Sequence, residues 1–353
     1  MRFDVVSLGD HIRNPYTGRY NETQAERFAM IVDLAVLGEE LGFSGAWVGE
    51  HHASDYIVSN PQMVLAAIAA RTKRIRLGSA VSLLANADPV RMAEDFATLD
   101  LLSHGRAELG IGTGVTEHTY QLFGQDAALA KEMGAEKLEL LKCLWDEGEI
   151  EWSGKFRTPI THTQLEPRTY SGKSIPITVA TGGTESTARR AGLDGHKLAL
   201  LTVVGDFKSS RRIADVYRAA YREAGHEPSG MSVSVSGYCY LDDNGRRARE
   251  HWAPHFQAYM EFTNALRLAK GFQRSILQRV GELGAAAFSP DPQMCGSPAE
   301  VVDKIHQAYE DMGGFDELKL LFDHGAVPRY EVARSMKLFA EKVMPNIRVG
   351  TVV

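Results

Sequence analysis

Short β-rich runs alternate with longer segments of helical spacing almost from end to end of the chain, and this rhythm restricts it to an α/β architecture. The β-rich runs are Phe3–Leu8, Gly45–Glu50, Arg76–Ser82, Ala107–Ile111, Ile175–Ala180, Lys197–Val203, Ser232–Leu241 and Leu318–Phe322. Between the first two, Glu22–Leu41 carries apolar residues at Phe28, Ile31, Val32, Ala35 and Leu41, a helical spacing that Gly42 is placed to end. Asn60-Pro61 and Asp88-Pro89 start helices that run to Arg71 and Leu102, with proline in the first turn, where its missing N–H costs least. Further helical stretches reach Trp145 and Ala191, cover Phe207–Ala224, occur within Ala248–Lys270, and run from Pro298 to Met312 and from Pro328 to Pro345.

Eight strand–helix pairs fit a (β/α)8 TIM barrel, typically about 250 residues and longer with insertions. A doubly wound sheet would want Gly-x-Gly-x-x-Gly after its first strand, whereas here that strand runs into Gly9-Asp10-His11. Insertions are expected after strand 4 and after strand 7. The first, about 149–173, contains Pro159, Pro167 and several β-branched residues and suggests a short hairpin. The second includes the irregular stretch 271–293, whose length suits a functional or mobile segment. No repeat, low-complexity tract or linker divides residues 1–353, which read as a single domain.

Composition removes several function classes. The 353 residues are 44% apolar and 24% charged, as in an ordinary globular protein, and the formal net charge of -6 argues against a nucleic-acid partner. No apolar run approaches the roughly 18 residues that span a bilayer. Met1-Arg2-Phe3-Asp4 leads straight into a strand, leaving no room for a signal peptide. Cys143, Cys239 and Cys295 are odd in number and widely spaced, which suggests neither disulfides nor a zinc cluster and points to the reducing cytoplasm.

A barrel brings the C-terminal ends of its strands to one mouth, whatever their separation in sequence. Glu50-His51-His52, Ala80-Val81-Ser82, Gly112-Thr113-Gly114 and Gly182-Gly183-Thr184 are thereby expected to share it. His51 suits general acid–base work, since imidazole titrates near neutrality. Its neighbour His52 would point to the opposite face of a strand, so a shared metal ion is not expected. Thr181-Gly182-Gly183-Thr184-Glu185-Ser186-Thr187 leaves a strand and enters a helix, and its doubled glycine and hydroxyls suit a phosphate at the helix start. The competing role for Thr184 is that of an ordinary N-cap. Gly110-Ile111-Gly112-Thr113-Gly114, at a strand's end, reads as clearing space for a flat ligand or for close backbone approach rather than as a dinucleotide loop.

Several stretches together resemble the bacterial luciferase-like flavin monooxygenases over nearly the whole length. They are Trp47-Val48-Gly49-Glu50-His51-His52, Leu77-Gly78-Ser79-Ala80-Val81, Asp88-Pro89-Val90-Arg91 and Asp100-Leu101-Leu102-Ser103-His104-Gly105-Arg106. The Gly182-Gly183 turn, Gly296-Ser297-Pro298-Ala299-Glu300 and the ending Leu338-Phe339-Ala340-Glu341-Lys342-Val343-Met344-Pro345 fit as well. The resemblance implies a barrel that binds reduced FMN and reacts it with oxygen to give a C4a-hydroperoxyflavin. His51 matches the catalytic histidine, with Glu50 grouped beside it, and Glu50 and His52 would line or support the flavin cavity. Ala80-Val81 matches a non-prolyl cis peptide under the isoalloxazine, and Gly182, Gly183, Thr184 and Ser186 match the phosphate segment. Gly112 and Thr113 stand where luciferase carries a reactive cysteine and a phosphate-binding arginine. The phosphate's cationic partner is therefore unassigned, and the cysteine of the light-emitting pattern is absent. The stretch 271–293 falls where the family has a mobile lid.

The function so implied is an FMN-dependent monooxygenase that oxygenates a small organic substrate with O2. Reduced FMN would come from a separate flavin reductase, because no nicotinamide-binding module is recognisable, and a homodimer is implied by the family. Two alternatives share the barrel: a deazaflavin-dependent oxidoreductase performing hydride transfer, which Glu50-His51-His52 disfavours, and a non-catalytic flavin-binding protein.

Overall fold

The computed structural model describes residues 1–114, 116–146, 148–202, 207–270 and 293–348. Eight parallel strands close into a barrel: β1 (Arg2–Ser7), β2 (Gly45–Val48), β3 (Arg76–Ser79), β4 (Ala107–Ile111), β7 (Ile177–Thr181), β8 (Lys197–Leu200), β9 (Val233–Leu241) and β11 (Glu317–Leu321). Each pairs with the next, and β11 pairs with both β9 and β1, which seals the ring. The expected (β/α)8 architecture is what the chain adopts.

The helices start where capping chemistry dictates. Thr23 and Glu26 form a reciprocal capping box at the head of α1 (Gln24–Glu40), and Asn60 caps α2 (Pro61–Arg71). Asp88 accepts from the Val90 and Arg91 N–H groups at the head of α3 (Pro89–Ser103). The helical stretch expected up to Trp145 is divided into α4 (Glu117–Leu122) and α5 (Ala130–Asp146), with Gly124 in the left-handed region between them. The insertion after the fourth barrel strand holds the expected hairpin, antiparallel β5 (Ile150–Trp152) and β6 (Ile160–Thr163). After the fifth and sixth barrel strands come α6 (Glu185–Leu193) and α7 (Phe207–Glu223), and after the seventh comes α8 (Gly245–Lys270). The lid expected at 271–293 lies outside the described residues except for Gln293. A three-residue strand, β10 (Met294–Gly296), follows and extends the sheet beside the far end of β9; it is too short to carry a period in sequence. Then come α9 (Pro298–Met312) and α10 (Arg329–Leu338). No helix among the described residues is long and apolar enough to cross a membrane.

Several strands end earlier than their apolar runs suggest, among them the sixth, expected to reach Val203 but ending at Leu200. The second was expected to reach Glu50 and the third Ser82, but they stop at Val48 and Ser79. The partner strand β1 ends at Ser7, and the chain turns away at Gly9 with φ +73°, so β2 has nothing further to pair with on that side, whereas the chain after β3 regains one bridge to β4 at Ser82. Glu50, His51 and His52 consequently stand beyond the strand, at the rim.

Register assigns the barrel interior in layers. Asp4, Arg76, Glu108, Lys197, Glu317 and Lys319 point inward near the bottom and bond one another: Arg76 Nη1 lies 3.0 Å from Glu108 and 3.1 Å from Glu317, and Lys197 Nζ 2.9 Å from Glu108. Above them Trp47 fills the bore. Its Nε1 donates to Asp4 Oδ2 at 2.8 Å, and Lys319 Nζ sits 3.2 Å from the ring centroid. Gly78 and Gly110 make room for this plug: a Cβ on the first would strike the Trp47 ring, and on the second the Ser79 carbonyl. The next inward positions, Gly49, Ala80, Gly112, Ala180 and Ala199, are all small. The bore is thus packed below and open above.

Candidate active site

The mouth is built on that layer of small residues. Ala80, Gly112, Ala180 and Ala199 keep part of their surface open, while Leu198 and Leu200, pointing the other way on β8, are buried. The Ala80–Val81 peptide is cis, as the resemblance implied. Gly112 packs directly on it: a Cβ there would come 2.8 Å from Val81 Cγ2. Ser82 continues the β3 edge, accepting from Gly112 N and donating its own N–H to the Gly110 carbonyl. Thr113 offers its carbonyl to the buried Tyr120 hydroxyl, which ties the glycine-rich loop to α4. The result is a floor of small residues, with the Leu8 side chain and the His51 ring beside Gly49.

Glu50, His51 and His52 diverge as soon as they leave β2. Glu50 Oε1 is 2.9 Å from His52 Nε2, and Oε2 accepts from Leu83 N at 3.2 Å, so both carboxylate oxygens tie down the loops after β2 and β3. His52 also meets the edge of Phe123 at 4.7 Å between centroids. His51 goes elsewhere. Its ring stacks on Tyr56 at 4.1 Å with an interplanar angle of 20°. Its backbone N–H donates to the Val58 carbonyl, and its Nδ1 is buried without a partner. Burial, with a smaller contribution from His52, pushes its pKa down to about 4, so the imidazole is neutral around pH 7. A Cβ placed on Gly49 would lie 3.2 Å from the Ala80 carbonyl and 3.3 Å from His51 Cε1, so His51, Gly49 and the cis peptide are immediate neighbours.

Across the mouth, the segment after β7 takes an unexpected internal arrangement. Thr181 Oγ1 accepts from Gly183 N at 3.3 Å and Thr184 N at 3.0 Å, folding the turn back on itself, and Gly183 sits at φ +121°. Thr184 is the N-cap residue of α6 but makes no side-chain capping bond, so the competing role considered for it is not taken. The first turn of α6 is therefore open, with the exposed Ser186 on it. Glu185, the first helical residue, pairs with Arg212 of α7 at 2.7 Å. Nothing in the sequence marked Arg212, because its relation to the turn exists only through the packing of α7 on α6. Tyr56 and Tyr120 were missed for the same reason.

The model of luciferase-like monooxygenases matches residues 1–315. The chain belongs to that family. It is an enzyme of the monooxygenase class, as the resemblance implied. Among solved structures it resembles the monooxygenase RslO1 from Streptomyces bottropensis, with a TM-score of 0.83 and 28% identity over 98% of this chain and 99% of the other. The alkanal monooxygenase alpha chain of the Kryptophanaron alfredi symbiont is 25% identical over 92% of this chain and 94% of its own length. The oxygenase component of a flavin-dependent trigonelline monooxygenase from Acinetobacter baylyi is 24% identical, covering 92% and 91%.

The residues present fit a flavin. A flat ring system needs a floor without bulky side chains, which Gly49, Ala80, Gly112, Ala180 and Ala199 provide. A ring edge arriving there would meet His51, and a phosphate would meet the uncapped start of α6.

Proposed function

We propose that this protein is an FMN-dependent monooxygenase, the oxygenase half of a two-component system supplied with reduced flavin by a separate reductase and working as a homodimer. The observation that carries the reading is a neutral imidazole, His51, at the rim of a floor of small residues against the Ala80–Val81 peptide. The name of the trigonelline relative, an oxygenase component, supports the separate reductase.

In this reading Ala80, Val81, Gly112 and Thr113 hold the ring system, and Gly182, Gly183, Thr184 and Ser186 take the phosphate through backbone N–H groups and hydroxyls. Arg212 supplies positive charge beside that turn and offsets the Glu185 carboxylate. A reduced FMN held by these residues would supply two electrons for oxygen activation, one oxygen atom of O2 going to an organic substrate and the other to water. His51 is neutral at working pH, so it can accept a proton at Nε2, the ring nitrogen not shut away in the wall, and return it when water departs. Glu50, with both oxygens engaged, positions the loops rather than moving protons.

The test is rapid mixing of protein and anaerobically reduced FMN with oxygenated buffer. Wild type is expected to reoxidise flavin in phases absent from free FMN, and His51→Ala to accelerate the last of them. Reoxidation indistinguishable from that of free flavin overturns the proposal, and binding of a deazaflavin with hydride transfer would replace it.

A further inference from the structure

Tyr56 is four residues beyond His52, and its hydroxyl does not reach the mouth. It donates to the Tyr259 hydroxyl at 2.7 Å and lies 3.5 Å from Thr263 Oγ1, both on α8. The Tyr259 hydroxyl in turn bonds that of Tyr238 on β9. Thr263 is held by the Tyr259 carbonyl, and Phe262 packs on the Tyr56 ring at 4.9 Å. Tyr56, Tyr238 and Tyr259 are all nearly inaccessible to water. One face of Tyr56 therefore carries His51, while its far end is bolted to α8.

We infer that Tyr56 and Tyr259 act as a pair of positioning residues for His51: their hydroxyl-to-hydroxyl bond fixes the phenol on which the imidazole stacks, and through it the direction of Nε2. The geometry requires such a device. His51 Nδ1 has no hydrogen-bond partner among the described residues, so the stacked phenol is the ring contact that takes the place of a hydrogen bond in orienting the imidazole. In a metal or triad site that task falls to a carboxylate or carbonyl on Nδ1; here a clamped aromatic face performs it. The tether also explains how a buried imidazole is kept from swinging out to water, where it would be charged more readily. The titratable groups that face this assembly are His52 and Glu50 from the same rim segment, Asp10 from the loop after β1, and Tyr238 and Tyr259 from β9 and α8.

The inference rests on His51 being the proton-handling residue, but its test does not. The protein without flavin is compared with Tyr56→Phe, Tyr259→Phe and the double variant, using isotope-edited NMR of the His51 ring. The two single variants keep both rings and remove one shared bond. Each is expected to broaden or split the His51 Cε1 signal and to move its titration midpoint upward from about 4 toward 6.5, as the ring gains access to water. In the His51 signal the double variant is expected to match either single one, because the Tyr56–Tyr259 bond that both variants share is lost in each case, whatever else the Tyr238 and Thr263 contacts contribute to stability. With flavin bound, the last phase of reoxidation is expected to quicken roughly tenfold in all three, in the direction expected of His51→Ala. An unchanged His51 signal in Tyr56→Phe, or additive effects in the double variant, overturns the positioning role. A changed His51 signal with unaltered reoxidation upholds the positioning role and overturns the function proposed for His51.

Discussion

Adjacent residues of one segment acquire different chemistry from what each touches. Glu50 spends its oxygens on His52 and Leu83, whereas His51 is stripped of partners and held neutral by burial. Arg212 illustrates the same dependence on neighbours. Its guanidinium is largely exposed and pairs with Glu185, an acid that would otherwise repel a phosphate at the open start of α6. Arg212→Ala is expected to weaken FMN binding about fivefold, in line with an exposed charge pair, and to leave riboflavin, which lacks the phosphate, unaffected. Fluorescence titration with both flavins checks this, and equal losses for the two would remove Arg212 from the phosphate site. The Glu50-His51-His52 triplet was legible in sequence as chemistry at a strand's end. The Tyr56 ring beneath His51 was not, since a single aromatic residue in a loop carries no periodic signal.

Elements contribute geometry that no single side chain holds. The turn between β7 and α6 is shaped by Thr181, whose hydroxyl serves Gly183 and Thr184 and so leaves the next N–H groups of the helix unclaimed. Thr181→Val, nearly isosteric, removes that acceptor and is expected to cost about 1–2 kcal/mol in stability, because two turn N–H groups lose their partner. FMN affinity is expected to fall as well, through loss of the turn's shape; denaturation and flavin titration on the same variant measure the two effects. A variant as stable as wild type and with unchanged affinity would show that the turn holds without it. Helix starts were readable from the sequence because capping is local: Asn60-Pro61, Asp88-Pro89 and Ser297-Pro298 sit within a residue of the observed N-termini. Strand ends were less so. The apolar run of the second strand continues past Val48, but a strand stops where its neighbour does, and that information belongs to β1.

Across the whole molecule, burial of histidines ties stability to acidity. His51 and His196 are pushed down to about 4, chiefly by burial, and His324, enclosed by Tyr238, Trp252, Phe256 and Tyr259, to about 3. The unfolded chain protonates these groups below about 6.5 and the folded chain does not, so the unfolded state binds more protons and stability falls as pH drops from 6.5 toward 4. Asp10 works against them: burial raises it to about 6, and it favours the folded state as pH falls through that value. The balance of these four groups is a loss of about 3 kcal/mol per pH unit near pH 5. Urea denaturation between pH 4.5 and 7 is expected to show that slope, and His324→Phe, placing an apolar ring among aromatic ones, to flatten it by about one proton. A slope unchanged in His324→Phe would mean that this histidine is already protonated in the fold.

The sequence by itself determined the architecture, because alternating periods of two and 3.6 residues can bury their apolar faces together in few ways, and eight such pairs close a barrel. It also determined which strand ends carry reactive or glycine-rich residues, since those are written in consecutive positions. Only the tertiary structure decided which of them meet and in what state. Register around the ring stacked Trp47 beneath Gly49, Ala80 and Gly112, α8 brought Tyr259 to Tyr56, and α7 brought Arg212 to Glu185. The last two are contacts between residues far apart in the chain, and the burial that keeps His51 neutral is likewise set by the fold and not by its neighbours in sequence alone.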